Sequence, residues 1–194
     1  MNAMDAATVS TPLGPFSMLI DNDGAVRAAG FTAMPGSLLD ELPLPWRNAT
    51  PREFRDLSAY RDAIHAYFVG DHDALRDIPV IHTGKGFRMR AWQAMRQIPV
   101  GTTISYAQLA AIAGNPRAAR AAGAACAANL VPLLVPCHRV VASDGGLNHY
   151  YYGLAHKRWL LEHEKARPQR LFQQPAEHFP CTAACPQRTD GPAR

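Results

Sequence analysis

Cysteine is scarce and unevenly placed in this chain of 194 residues: four in all, none before Cys126, followed by Cys137, Cys181 and Cys185. That is too few for a disulfide framework and points to a reduced, cytoplasmic setting. No apolar run approaches the roughly 18 residues that a membrane span needs. The first residues, Met1-Asn2-Ala3-Met4-Asp5, lack both the basic and the apolar stretch of an export signal. Internal repeats are missing too. Acidic residues nearly vanish from the second half: residues 85–170 hold three Asp or Glu against twelve Lys or Arg, whereas residues 1–84 hold eleven against six. A basic half joined to an acidic half suits a phosphate-binding module with an accessory part; the competing reading is a chance clustering of solvated arginines.

What is present is enough for a core, with hydrophobic residues at 47%. Residues 10–31 read as a β-hairpin whose strands, 16–20 and 25–31, flank the turn Asn22-Asp23-Gly24. Prolines 35, 43, 45 and 51 predict a loop over 33–51. Phe54, Leu57, Tyr60, Ile64 and Phe68, at three- and four-residue spacing, predict a helix over 51–69 that Gly70 ends. Ile78-Pro79-Val80-Ile81 predicts a short edge strand. Nothing before residue 84 carries an obvious chemical group, so this part reads as scaffold. Further helices are predicted over 87–97 and 106–113, the second capped by Thr103 or Ser105 and stopped by Gly114. Asn115 and Pro116 then start a helix running through 117–128, which makes a helix-turn-helix with its predecessor. A Tyr-rich loop at 148–153 and a last helix over 154–166 follow. The chain thus divides into a scaffold domain, 1–84, a basic domain, 85–168, and a Pro- and Gln-rich tail, 169–194, expected to be disordered.

The helix after Asn115 is almost all alanine, the best helix former, and a buried helix with close neighbours is the plain reading. Arg117 and Arg120, however, lie one turn apart, and the remaining side chains are too short to reach base edges. Such a helix can approach a nucleic-acid backbone closely and supply charge without reading sequence.

The chemistry concentrates in Leu133-Leu134-Val135-Pro136-Cys137-His138-Arg139-Val140-Val141. A lone cysteine is usually a small buried hydrophobe, which fits Cys126. Cys137 is followed directly by His138 and Arg139, positive or potentially positive groups expected to lower its pKa. Neighbours in sequence do not face each other, so His138 could take the thiol proton only through a water or a local turn. A base of this kind needs an orienting carboxylate. Asp144 lies in a turn and Glu162 on the solvent side, leaving Glu164, for which a salt bridge to Lys157 or Arg158 is the structural alternative.

Pro136-Cys137-His138-Arg139-Val140 resembles the active-site motif of the O6-alkylguanine-DNA alkyltransferases. The likeness extends to Ile98-Pro99-Val100-Gly101-Thr102-Thr103-Ile104-Ser105-Tyr106, to Gly114-Asn115-Pro116-Arg117-Ala118-Ala119-Arg120-Ala121, to Lys157-Arg158-Trp159-Leu160-Leu161-Glu162-His163-Glu164, and to Ser10-Thr11-Pro12-Leu13-Gly14-Pro15. The resemblance covers roughly residues 10–166. It implies an α+β fold: a small antiparallel sheet with a helix (ribonuclease H-like), then a mostly helical, winged-helix-like DNA-binding domain with a helix-turn-helix. It also implies repair by direct reversal, in which an O6-alkylguanine (chiefly O6-methylguanine, with O4-methylthymine as a further substrate) is flipped out of duplex DNA and its alkyl group passes irreversibly to a cysteine. Carried over by position, Cys137 is the acceptor, His138 the base acting through a water, and Glu164 its orienter. Tyr106 assists rotation of the nucleotide and donates a proton at guanine N3, and Asn129 braces the turn before the acceptor. Arg120 fills the vacated stack, with Arg117, Ala119, Ala121, Tyr106 and Arg139 as further DNA contacts. Pro136, Val140, Asn148, His149, Tyr150, Tyr151 and Tyr152 form the base pocket.

The implied partner is double-stranded DNA carrying alkylated bases, bound by a monomer that is nucleoid-associated when engaged, with no cofactor and no membrane. A structural zinc is not expected, because the first half has no cysteine; Cys181, Cys185 and His178 in the tail make at best an incomplete ligand set. Where the family usually has small residues this chain has Asn148 and His149, which are expected to narrow the pocket. Two alternatives compete: a non-reacting module for alkylated bases, like the alkyltransferase-like proteins, and a Cys-His hydrolase, which would leave the Arg-bearing alanine helix unexplained.

Overall fold

A computed structural model of the protein describes residues 3–52, 56–165 and 167–168. The expected tail over 169–194, with Cys181, Cys185 and His178, lies outside the described residues, as does Phe54.

The expected hairpin is there, with a strand in front of it. β1 (Met4–Thr11) pairs antiparallel with β2 (Gly14–Ile20), which pairs antiparallel with β3 (Val26–Phe31). β1 escapes a propensity reading because Asp5, Ala6 and Ala7 are weak strand formers, buried here only by tertiary packing. The β2–β3 turn is closed by Asp21, whose Oδ1 accepts from the backbone N–H groups of Asp23 and Ala25 at 3.0 and 2.9 Å, with Gly24 at φ +83°. The proline-rich stretch is not a plain loop. It holds a 3₁₀ turn (Pro35–Leu39) and a single helical turn, α1 (Leu44–Arg47), each with proline in its first positions. Leu38, Leu39 and Leu42 there pack on Met4, Leu19 and Ala28. The helix expected from Pro51 begins later, as α2 (Ser58–Phe68), because Pro51 and Arg52 form a short strand β4 parallel to β1. The sheet order is therefore β3-β2-β1-β4. The expected edge strand at 78–81 reduces to one parallel bridge, Val80 on Val26.

In the second half come α3 (Phe87–Arg96), β5 (Thr102–Ser105), α4 (Tyr106–Ile112) and α5 (Ala119–Ala127). After a 3₁₀ turn (Cys137–Arg139) follow β6 (Val140–Val141), α6 (Leu154–His163) and β7 (Arg167–Pro168). β6 and β7 flank β5, both parallel to it. Ser105, rather than the buried Thr103, caps α4, and forms a reciprocal pair with Gln108. α5 starts three residues later than proposed. Asn115 Oδ1 accepts from the N–H of Arg117 at 3.2 Å, making a turn that holds Arg117 off the helix. Arg117 and Arg120 therefore do not share a helical face.

The alanines of α5 serve close packing: Ala122 and Ala125 are buried, and Trp92 Nε1 of α3 donates to the Ala125 carbonyl at 2.9 Å. The main apolar cluster runs across position 84, joining Phe16, Met18, Ile64 and Tyr67 to Met95, Leu109, Val135 and Leu160. No helix among the described residues is long and apolar enough to cross a membrane. Because α5 meets its neighbours through methyl groups, Ala122→Leu should overpack this contact and lower stability by about 1–3 kcal/mol, measured by urea denaturation.

Candidate functional site

Cys137 opens the 3₁₀ turn that ends the apolar run, and it is buried. Two devices place it. Leu133 holds φ +66°, a left-handed conformation that costs a side chain about 1–2 kcal/mol, and Asn129 braces the resulting turn. Its Nδ2 donates to the Val135 carbonyl at 2.7 Å, its Oδ1 accepts from the N–H of Val131 at 3.1 Å, and its side chain also hydrogen-bonds the Cys137 thiol. Oδ1 pairs in addition with His82 Nε2 at 3.0 Å. His82 stacks on Trp92 with centroids 4.2 Å apart, and burial pushes its pKa down to about 4, so it is neutral and donates from Nε2.

The thiol does not behave as its sequence neighbours suggested. Burial pushes its pKa up, while the Asn129 hydrogen bond and the Lys157 ammonium pull it down. Arg139 points away: Nε donates to Glu164 Oε2 and Nη2 to Glu164 Oε1, both at 2.8 Å, and Nη1 to the Ile98 carbonyl at 2.6 Å. Arg139 was expected among the DNA contacts; here its guanidinium is buried, with each of its three nitrogens bonded inside the protein.

Glu164 caps the end of α6 and collects these donors. Oε1 also faces His138 Nε2 at 3.0 Å and accepts from the Tyr67 hydroxyl at 2.7 Å. Burial works to raise the Glu164 pKa, but the facing His138 and Arg139 outweigh it and hold the carboxyl well below the usual range. An ionised carboxylate only accepts, so His138 Nε2 carries the proton and Nδ1 keeps its lone pair. Nδ1 is buried with no hydrogen-bond partner among the described residues, and burial keeps the ring neutral. Neither Lys157 nor Arg158 takes the salt bridge offered as the alternative. Lys157, itself buried, donates from Nζ to the Val140 and Leu147 carbonyls.

Cys137 lies on a cavity of about 670 Å³ between α5 and the tyrosine loop. From α5 come Ala119, Arg120, Gly123, Ala124 and Ala127; from the loop, Asn148 through Tyr152. Tyr106, Asn129 and Pro132 complete the wall together with Cys126, which is not the fully buried hydrophobe expected. Burial pushes the Tyr106 hydroxyl up to about 12, so it is protonated at neutral pH. Pro136 and Val140 are not among the lining residues. Pro136 instead borders a separate cavity of about 330 Å³ with Tyr67 and Arg139, and Val140 is fully buried in β6. Arg117, just before α5, and Ala121, within it, are exposed without lining the cavity.

Tyr67 and His82 were missed because both lie in the part read as scaffold. Only the helical spacing of Tyr67 was legible, and that signals burial, not a hydroxyl aimed at residue 164. The lining role of Gly123, Ala124 and Ala127 was available from their spacing of three, four and seven residues from Arg120. Among the described residues no group of three or more His, Cys, Asp or Glu side chains is placed to hold a metal ion.

Because the Glu164 pKa is lower folded than its ordinary 4.5, its contribution to stability is present above that value and is lost as pH falls. Urea denaturation between about pH 5.5 and 3.5 should show wild-type stability falling more steeply than that of Glu164→Gln; parallel profiles would contradict an ionised Glu164.

Residues 86–166 match the family described as 6-O-methylguanine DNA methyltransferase, DNA binding domain. The chain is 35% identical over 161 residues to the methylated-DNA–protein-cysteine methyltransferase of Salmonella typhimurium, covering 80% of this chain and 92% of that one. It is 51% identical over 89 residues to the human protein of the same name, covering 46% of this chain and 43% of that one. Among solved structures it is similar to Mycobacterium tuberculosis OGT crystallised in complex with DNA, with a TM-score of 0.69 and 31% identity over 83% of this chain and 93% of that one. With a buried Cys-His-Glu arrangement opening beside the α4–α5 pair, and this likeness along most of its length, the chain belongs to the methylated-DNA–protein-cysteine methyltransferases.

Proposed function

We propose that this protein repairs duplex DNA by taking the alkyl group of a flipped-out O6-alkylguanine, chiefly O6-methylguanine, onto Cys137 Sγ, once per molecule. The observation that carries the reading is the shared cavity: one space of about 670 Å³ reaches Cys137, Tyr106 and Arg120 together. It has the size of a small-ligand site and is walled by a helix with almost no side-chain bulk.

In the reaction Sγ attacks the alkyl carbon, the S–C bond forms as the C–O6 bond breaks, and the bonding pair stays on the guanine. The thiol proton passes through a bridging water to His138 Nδ1, the lone pair left free by the Nε2–Glu164 bond. The resulting imidazolium faces the Glu164 carboxylate, which stabilises it. The Tyr106 hydroxyl, protonated at neutral pH, donates to guanine N3 as the base departs and recovers its proton from solvent. A thioether has no hydrolytic partner here, so the acceptor is consumed. Flipping a nucleotide costs a few kcal/mol. Arg120 at the cavity rim would occupy the vacated stack, and the basic second half offers the phosphate contacts that offset this cost.

This reading treats the first sheet as ribonuclease H-like, and α4–α5 as the helix-turn-helix of a winged-helix-like domain acting as a monomer. Incubation with duplex containing O6-methylguanine should add about 14 Da to the Cys137 peptide, and Cys137→Ser should bind without gaining mass. Binding by wild type without mass gain would favour the non-reacting module; release of a free alkyl product with an unmodified thiol would favour a hydrolase.

Asn148, His149 and the three tyrosines fill the loop side of the cavity, where they limit the alkyl group. Transfer from O6-benzylguanine should accordingly be at least about tenfold slower than from O6-methylguanine, in single-turnover rates; comparable rates would sink this account of the loop.

A further inference from the structure

We infer that Gly30, in the middle of β3, is a specificity-determining position: by having no side chain it seats the Tyr152 hydroxyl and so fixes one wall of the base cavity. The inference rests on the alkyl-transfer reading of Cys137 and concerns a residue more than a hundred positions away from it.

Glycine weakens a strand interior, and Gly30 has no left-handed φ that would require it. What it supplies is room. A Cβ built there would fall under 3.0 Å from the Tyr152 hydroxyl, yet 3.4 Å from Cζ of the same ring and 3.1 Å from Leu38 Cδ2, which need give by only a few tenths of an ångström. The obstruction is thus essentially one oxygen atom. The ring above it is held edge-on against Phe31 at 5.1 Å and against Tyr151 at 4.9 Å, and it lines the cavity that holds Cys137. β3 stands behind the ring and the cavity in front, so a methyl group at residue 30 displaces Tyr152 toward the acceptor. A second tie, from the Tyr151 hydroxyl to Glu41 Oε1 at 3.2 Å, also fastens this loop to the first half.

The test is a double-mutant cycle read as the ratio of single-turnover rates for O6-methyl- and O6-propylguanine in duplex DNA. Gly30→Ala should slow propyl transfer relative to methyl transfer by about tenfold, the effect of about one methylene on a pocket. Tyr152→Phe removes the obstructing oxygen, so Gly30→Ala combined with Tyr152→Phe should show the ratio of Tyr152→Phe alone. An unchanged ratio in Gly30→Ala, or the same change in both backgrounds, overturns the inference. So does a Gly30→Ala protein that fails to fold and is not rescued by Tyr152→Phe, because the room would then serve the sheet. Methyl transfer by the wild type is the internal control: its loss would count against the alkyl-transfer reading, whereas its persistence with an unchanged ratio would count against Gly30 only.

Discussion

Burying an ionised carboxylate is tolerable only when its lone pairs meet donors of the right charge and geometry. Glu164 meets that condition by drawing three side chains from two remote segments: the Tyr67 hydroxyl from α2, and the His138 imidazole and the Arg139 fork from the 3₁₀ turn. Removing one partner of such a buried pair leaves charge uncompensated, at about 3–5 kcal/mol. The arrangement is therefore all-or-none, and its chemical result lies at the far side of the imidazole. With Nε2 committed to Glu164, Nδ1 is left as the acceptor. Arg139, two residues from the thiol in sequence, serves the carboxylate instead, so the dyad is tuned from behind.

That division of labour marks the limit of what the sequence could show. That Cys137, His138 and Glu164 come together was legible because the residue types able to serve as nucleophile, base and orienter are few, and the basic half contains only three acidic residues. The helices α3, α4 and α6 followed from apolar spacing and caps. The direction of Arg139 was not legible because charge in a sequence carries none; only the fold shows that its donors point toward Glu164 and Ile98. Tyr67 and His82 were invisible for a related reason: each acts through one polar atom on a partner 97 or 47 positions away. β1 was lost because alanine and aspartate carry no strand signal, and α5 was placed too early because Asn115 and Pro116 suit a turn as well as a helix start.

The alanine helix combines two demands usually met by different surfaces. Its buried methyls let α3 and α4 approach closely, and its other face, Arg120 with Gly123, Ala124 and Ala127, leaves space where larger side chains would fill the cavity. The thiol behind that space is protonated at rest, because burial outweighs Asn129 and Lys157. At rest, then, the cavity holds no standing thiolate.

The outer edge of β3 has one more consequence. Val26 gives its N–H to the Pro79 carbonyl at 2.8 Å and Ala29 to the Leu130 carbonyl at 2.8 Å, and the Tyr152 ring covers the stretch beyond. An open strand edge is a template for pairing with other chains. Here it is closed by the linker at residue 79, by the residue after Asn129 and by the tyrosine loop. Loosening that loop would therefore do more than widen a pocket: it would uncover part of a strand edge and make the protein prone to self-association. The shape of the cavity wall and the protection of a strand edge thus depend on the same few groups.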